Sequence, residues 1–235
     1  VIDVIEGRLS DQPKDINVAD GRILAIVEAG RKTPYTDFYY VDGTGKYVIP
    51  GLWDMHAHPD DPEVWRMNPE AARRDLLLPQ FVLYGVTGIR DMAGSLAEAH
   101  RWQRLGQEGD LLVPRIVACG PLLDGPNPMW DGSIGIDDTS RVRPVVDSLI
   151  AAGADFLKVY SLLPGDIYKA LASYAQEIDF PMVGHVPLGV SPSEAAITGM
   201  KSQEHLLEIL LECSNRTNQL VDGSIDYGSR EGIET

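Results

Sequence analysis

His56 and His58 stand two apart in Trp53-Asp54-Met55-His56-Ala57-His58, a spacing that puts both imidazoles on one face of a strand and lets the pair grip one ion. Two further histidines close later strand-like runs: His185 in Met182-Val183-Gly184-His185-Val186 and His205 in Ser202-Gln203-Glu204-His205-Leu206. Lys158 sits within another, Phe156-Leu157-Lys158-Val159-Tyr160. Imidazole is the commonest protein ligand for catalytic transition metals, so four of five histidines at strand ends point to metal-assisted hydrolysis. The fifth, His100 in Ala97-Glu98-Ala99-His100-Arg101-Trp102, reads as a residue on a solvated helix face.

Lys158 is the least obvious member. A strand lysine ordinarily lies at an edge or snorkels to solvent. Buried, it loses proton affinity because desolvation disfavours the ammonium. The neutral amine can then add carbon dioxide, giving a carbamate able to bridge two cations.

These residues need strands that end on one side. From residue 49 onward, apolar strand-like runs at 52–58, 86–91, 115–119, 156–160, 182–186 and 202–206 alternate with helical stretches, the pattern of βα units on a parallel sheet. Helices are expected at 68–84, interrupted by Pro79, and at 95–105, with Ser95 as N-cap. Strand parity groups Asp54 with His56 and His58, and Phe156 with Lys158 and Tyr160, leaving Leu157 and Val159 on the opposite face. Residues 120–139, rich in Gly, Pro and Asp, read as an irregular strand-to-helix loop. Before residue 49 the chain reads as short strands and tight turns, with 16–18 and 23–27 forming a hairpin around Asp20-Gly21.

The expected organisation is therefore a small β module at 1–48, a barrel portion at 49–213 holding six βα units, and a polar tail at 214–235. A complete (β/α)8 barrel takes roughly 250 residues. Two units are unaccounted for, so the expectation is that they follow Thr235, come from another chain, or are missing from a truncated product. The chain starts at Val1 without a charged-then-apolar leader, which points to a removed leader or a start inside a longer reading frame.

Bulk properties exclude some classes. With 35 acidic against 20 basic side chains the net charge is −15, which repels a phosphate backbone and makes nucleic acid an unexpected partner. No run approaches the ~18 uninterrupted apolar residues of a membrane span, so no membrane partner is expected. Cys119 and Cys213 lack CxxC spacing and read as two buried free thiols, with a disulfide as the alternative.

His56-Ala57-His58 follows Val48-Ile49-Pro50-Gly51-Leu52-Trp53-Asp54-Met55. Gly85-Val86-Thr87-Gly88-Ile89-Arg90-Asp91 comes next, then Lys158, His185 and His205. This ordered set resembles the amidohydrolase superfamily, above all its branch of imidazolonepropionase-like enzymes and metal-dependent prolidases. The resemblance runs from the opening β module to about Cys213. It implies an α/β fold, a partial TIM (β/α)8-type barrel of the amidohydrolase kind with an N-terminal β-sandwich portion.

It further implies a binuclear centre, usually zinc, in which His56 and His58 hold one metal, His185 and His205 hold the other, and a carboxylated Lys158 bridges. The implied reaction is hydrolysis of a C–N bond by a metal-activated hydroxide, in a small substrate such as a dipeptide or an N-acyl amino acid. Tyr160, two residues after the bridging lysine, is implied to meet the substrate's carboxylate end. Arg90 and Asp91 are expected to stabilise loops or orient ligands. The family's proton-shuttle aspartate closes the eighth strand, so it is expected beyond Thr235; Asp222 and Asp226 lie in the turn-rich tail and do not fit it. The rival outcomes are a lactonase, a cyclic-amide hydrolase, or a catalytically incomplete metal-binding fragment. On any of these readings the partners expected beside the small substrate are further copies in a homo-oligomer or a complementing chain.

Overall fold

The computed structural model describes residues 1–31, 38–60, 74–217, 219 and 224, except for the side chains of residues 74, 75, 207, 210 and 211. Residues 68–73 of the expected first helix, and Asp222 and Asp226, lie outside the described residues. The chain divides into two compact units, Val1–Gly51 and Leu52–Thr235.

The first unit holds two antiparallel ladders among its described residues. Strand β1 (Ile2–Asp3) pairs with β2 (Arg8–Leu9), and β3 (Lys14–Ala19) pairs with β4 (Arg22–Glu28). Asp20 and Gly21 both take positive φ, 49° and 69°, which is the backbone a two-residue hairpin turn requires. These ladders are separate sheets with mostly exposed or half-exposed residues.

The second unit is a mixed α/β fold built on parallel sheets. Strands β5 (Leu52–Ala57), β6 (Val86–Asp91) and β7 (Arg115–Ala118) form one parallel sheet. A second parallel sheet runs in the order β11 (Met182–Gly184), β10 (Leu157–Val159), β8 (Leu123–Asp124), β9 (Ile134–Gly135). Asp155 splices the two. Its amide donates to the Ala118 carbonyl at 2.8 Å, and its carboxylate accepts from the Ala118 amide at 2.8 Å.

Two of the expected elements differ. Residues 120–139 contain strands β8 and β9, where an irregular loop is expected. Strand β8 follows β7 after a kink at Gly120, whose φ of 75° turns the chain against Leu96. Periodicity cannot register strands of two residues. The run at 202–206 is not a strand: it contributes one parallel bridge, Gly184 to Gln203. His205 and Leu206 then both enter the left-handed region, at φ 63° and 62°, which no strand continues through.

The second unit also holds helices among its described residues. They are α1 (Arg74–Leu83), α2 (Leu96–Glu108), α3 (Val142–Ala151), α4 (Gly165–Glu177), α5 (Pro192–Ile197) and α6 (Leu207–Cys213). The Ser95 side chain accepts from the Glu98 amide and caps α2 as expected. Leu96, Ala99 and Trp102 of α2, Val142, Val146 and Leu149 of α3, and Ile167, Leu171 and Ala175 of α4 recur at helical spacing. They share one core with Ile89, Ile116, Leu157, Val159 and Met182 of the strands. His100 is exposed on α2. Both cysteines are free, but only Cys119 is buried; Cys213, expected buried, is exposed at the end of α6. Among the described residues no helix is long and apolar enough to cross a membrane.

Gly184 immediately precedes His185 and has φ 136°. A Cβ there would overlap the Val159 carbonyl oxygen and come within 2.8 Å of the Val159 amide nitrogen. Backbone cannot step aside as a side chain can. Gly184→Ala is therefore expected to destabilise the protein by more than about 2 kcal/mol, read as a lower midpoint in urea unfolding. A midpoint within error of the wild type would refute this account of the strand end.

Candidate functional site

The polar residues gather where the parallel strands end. His56 is the fifth residue of β5, and the Asp54 carboxylate accepts its amide hydrogen at 3.0 Å where the β5–β6 register slips. His56 Nε2 lies 3.1 Å from His58 Nε2. The ring centroids of His56 and His205 are 4.5 Å apart, those of His205 and His185 4.9 Å, and the Tyr160 ring lies 4.2 Å from His185. The order His58, His56, His205, His185, Tyr160 is thus a continuous row of rings. Lys158, at 1% exposure, lies close enough for its charge to depress both His56 and His185.

Burial sets the electrostatics of this row. It pulls the Lys158 amine down to about 8, against the pull of the Glu204 charge. It also pulls His185 down to about 4, helped by the charges of Lys158, His205 and His56. His56 is lowered for the same first reason, although its hydrogen bond to Glu204 works the other way. Glu204 is held below the usual carboxylate range: burial would raise it, but bonds from Ser202 and His56 and the Arg90 charge prevail. Near neutral pH the half-buried imidazoles of His56 and His185 therefore favour their neutral forms.

Glu204 is a residue the sequence reading passed over. Its Oε2 lies 2.7 Å from His56 Nδ1, while its Oε1 accepts from Arg90 Nη2 at 2.7 Å and from Ser202 Oγ at 2.6 Å. Arg90 also donates to the Met55 carbonyl at 2.6 Å and to Ser202 Oγ at 3.1 Å. Arg90 thus reaches the site directly, as the expected orienting role requires. Asp91 is buried, pushed up to about 7 by that burial, and accepts from the Ala93 amide at 3.4 Å within the turn that follows its strand.

The residue 120–139 segment supplies the other missed group. Buried Asp124 accepts from the Met129 amide at 3.1 Å and the Leu162 amide at 2.8 Å, tying the segment to the turn after β10. Trp130 Nε1 then donates to the Tyr160 hydroxyl at 2.7 Å, and Ser161 Oγ pairs with His185 Nδ1 at 2.9 Å. No sequence signal marks Trp130. For Glu204 the only signal was an acid directly before a histidine. Among the described residues no three His, Cys, Asp or Glu side chains form a ready-made group for one ion.

No protein-family profile matches the chain, and no curated protein matches it. Solved structures do. The chain is similar over 85% of its length to bottromycin amidohydrolase, at 26% identity and a TM-score of 0.66. It is similar over 99% of its length to a prolidase complexed with N-methylphosphonate-L-proline, at 19% identity and a TM-score of 0.68. A third similar structure is an amidohydrolase, matched over 79% of this chain at 19% identity and a TM-score of 0.62. The chain spans 40%, 69% and 54% of those three proteins respectively. A likeness that covers most of the sequence, at parallel strands whose ends carry this row of imidazoles, has one reading at the family level: the chain belongs to the amidohydrolase superfamily.

Proposed function

We propose that residues 52–206 form an arc of a (β/α)8 barrel which, in the whole protein, hydrolyses a C–N bond in a small substrate such as a dipeptide or an N-acyl amino acid. The first unit, on this reading, is part of a small β-sandwich. The observation that carries the proposal is the row of four imidazoles beside a buried amine, three of them at or just past the ends of parallel strands and His205 on the segment bridged to Gly184. Barrel enzymes of this type gather their chemistry at that face.

The donor set fits two divalent ions, with zinc favoured by its affinity for imidazole. Two imidazole nitrogens on one tetrahedral zinc lie roughly 3.3 Å apart, given bonds of about 2.0–2.1 Å. Nε2 of His56 and His58 are separated by 3.1 Å. His56 and His58 would hold one ion, His185 and His205 the other, and a carbamate on Lys158 would supply the shared anionic donor. Bound there, the ions would polarise the scissile carbonyl and lower the pKa of nearby water.

The chain's own residues do the rest. With its amine near 8, roughly a tenth of Lys158 is neutral at pH 7, against well under a hundredth for an unperturbed lysine. That neutral fraction is what carbon dioxide requires. Neutral His56 and His185 each keep one ring nitrogen with a lone pair available. Tyr160, having accepted the Trp130 hydrogen, keeps its own hydroxyl hydrogen to donate to a substrate carboxylate. N-methylphosphonate-L-proline, bound by the similar prolidase, motivates dipeptides ending in proline as the first substrates to try.

Metal analysis of the protein from metal-replete growth should return about two divalent ions per site; well-folded protein containing none would remove the proposal. With carbon-13 bicarbonate, a carbamate carbonyl resonance is expected in the wild type and not in Lys158→Ala. At fixed dissolved carbon dioxide it should grow as pH rises through about 8, because the neutral amine is the reacting form. A signal that persists in Lys158→Ala would place the carbamate elsewhere. In a panel of dipeptides, N-acyl amino acids, lactones and cyclic amides, the first two should be the best substrates. Tyr160→Phe should raise KM for them by about tenfold or more with kcat little changed, as for loss of one hydrogen bond to a charged group. Faster turnover of lactones or cyclic amides would overturn the substrate assignment.

A further inference from the structure

We propose that Glu204 is a positioning residue that fixes the tautomer of His56 and so determines which of its nitrogens is left to bind a ligand. The inference rests on the reading of His56 as a metal ligand. At 8% exposure Glu204 has little water to satisfy it, and its two oxygens face different partners. Oε1 is occupied by donors, Arg90 Nη2 at 2.7 Å and Ser202 Oγ at 2.6 Å. Oε2 faces His56 Nδ1 at 2.7 Å. A carboxylate only accepts, so the hydrogen of a neutral His56 must sit on Nδ1. Nε2 then carries the lone pair, on the side facing His58. Arg90 makes the arrangement rigid, because its Nε donates to the carbonyl of Met55, the residue before His56.

The isosteric variant Glu204→Gln reverses this logic. Arg90 and Ser202 still donate at the Oε1 position, so the amide oxygen must occupy it. The amide NH2 is then turned toward His56 Nδ1, which has to accept, and the ring hydrogen moves to Nε2. Glu204→Ala, by contrast, removes the acceptor without imposing the wrong tautomer. If Glu204 served only packing or charge, Gln would be the milder change, since it keeps the volume. A tautomer role makes it the harsher one.

Two readouts test this. Long-range proton–nitrogen correlation spectra of the metal-free protein, at about pH 8 where an ordinary imidazole is neutral, should give a hydrogen on Nδ1 of His56 in the wild type and on Nε2 in Glu204→Gln. Titration with zinc should show affinity lowered roughly 10- to 100-fold in Glu204→Gln, and by less in Glu204→Ala. A Glu204→Gln spectrum that keeps the hydrogen on Nδ1, or an affinity order with Ala below Gln, overturns the proposal. Should Glu204→Ala not fold, the Glu204→Gln spectrum decides alone. A wild type that binds no zinc while the tautomer still switches would overturn the ligand reading of His56 and uphold the tautomer assignment.

Discussion

Three chain segments end at the Glu204 carboxylate. Arg90 brings strand β6 to it, His56 brings β5, and Ser202 brings its own segment, with Arg90 also holding the Met55 carbonyl beside His56. The Glu204 amide in turn donates to the Gly184 carbonyl at 2.9 Å, so the end of β11 joins the same knot. A buried ion pair contributes little net stability when both partners are present, but removing one partner leaves a charge without compensation, at about 3–5 kcal/mol. The geometry of the imidazole row depends on that pairing more than on the short strands, which are three residues long at β10 and β11.

The same region concentrates unfavourable terms. Lys158 is almost wholly buried, Gly184 adopts a φ closed to side chains, and His205 and Leu206 are both left-handed. Left-handed backbone costs a bulky L-residue on the order of 1–2 kcal/mol. These costs are localised at the strand ends, while the helices behind them are regular and apolar on their buried faces. Strain gathered at one rim, over a well-packed core, is the distribution expected of a site selected for chemistry rather than stability.

Legibility followed the length scale of each interaction. The His56-Ala57-His58 spacing, the Lys158 strand, the 86–91 strand and the Ser95 cap are local patterns, and each was readable from neighbours within a few positions. Strands β8 and β9 have two residues each, too few for a period. The 202–206 run fits a strand by its place in the βα alternation, yet Ser202-Gln203-Glu204-His205-Leu206 holds no β-branched residue and the backbone turns left-handed at His205. Glu204 and His56 are 148 residues apart, and Trp130 and Tyr160 are 30 apart. Nothing in either residue's surroundings announces those meetings; they exist only once parallel strands bring distant segments to the same rim. Arg90 was partly legible, as an orienting residue without its partners, whereas Asp91 beside it turned inward.

The row of rings also has a polarity that bears on how a substrate would lie. At one end are His56 and His58, flanked by the buried charges of Glu204 and Arg90. At the other end Tyr160 stacks on His185 and is met by Trp130 from the segment that Asp124 anchors. Lys158 lies within electrostatic reach of both His56 and His185. On the proposed reading, a small amphipathic substrate would be sorted by its own chemistry: its carboxylate would meet the remaining hydroxyl hydrogen of Tyr160, its apolar face would meet exposed Trp130, and the carbonyl between them would be left facing the imidazoles. On the proposed reading, orientation is therefore settled by contacts at the aromatic end, and the imidazole end can be built for reaction instead of recognition.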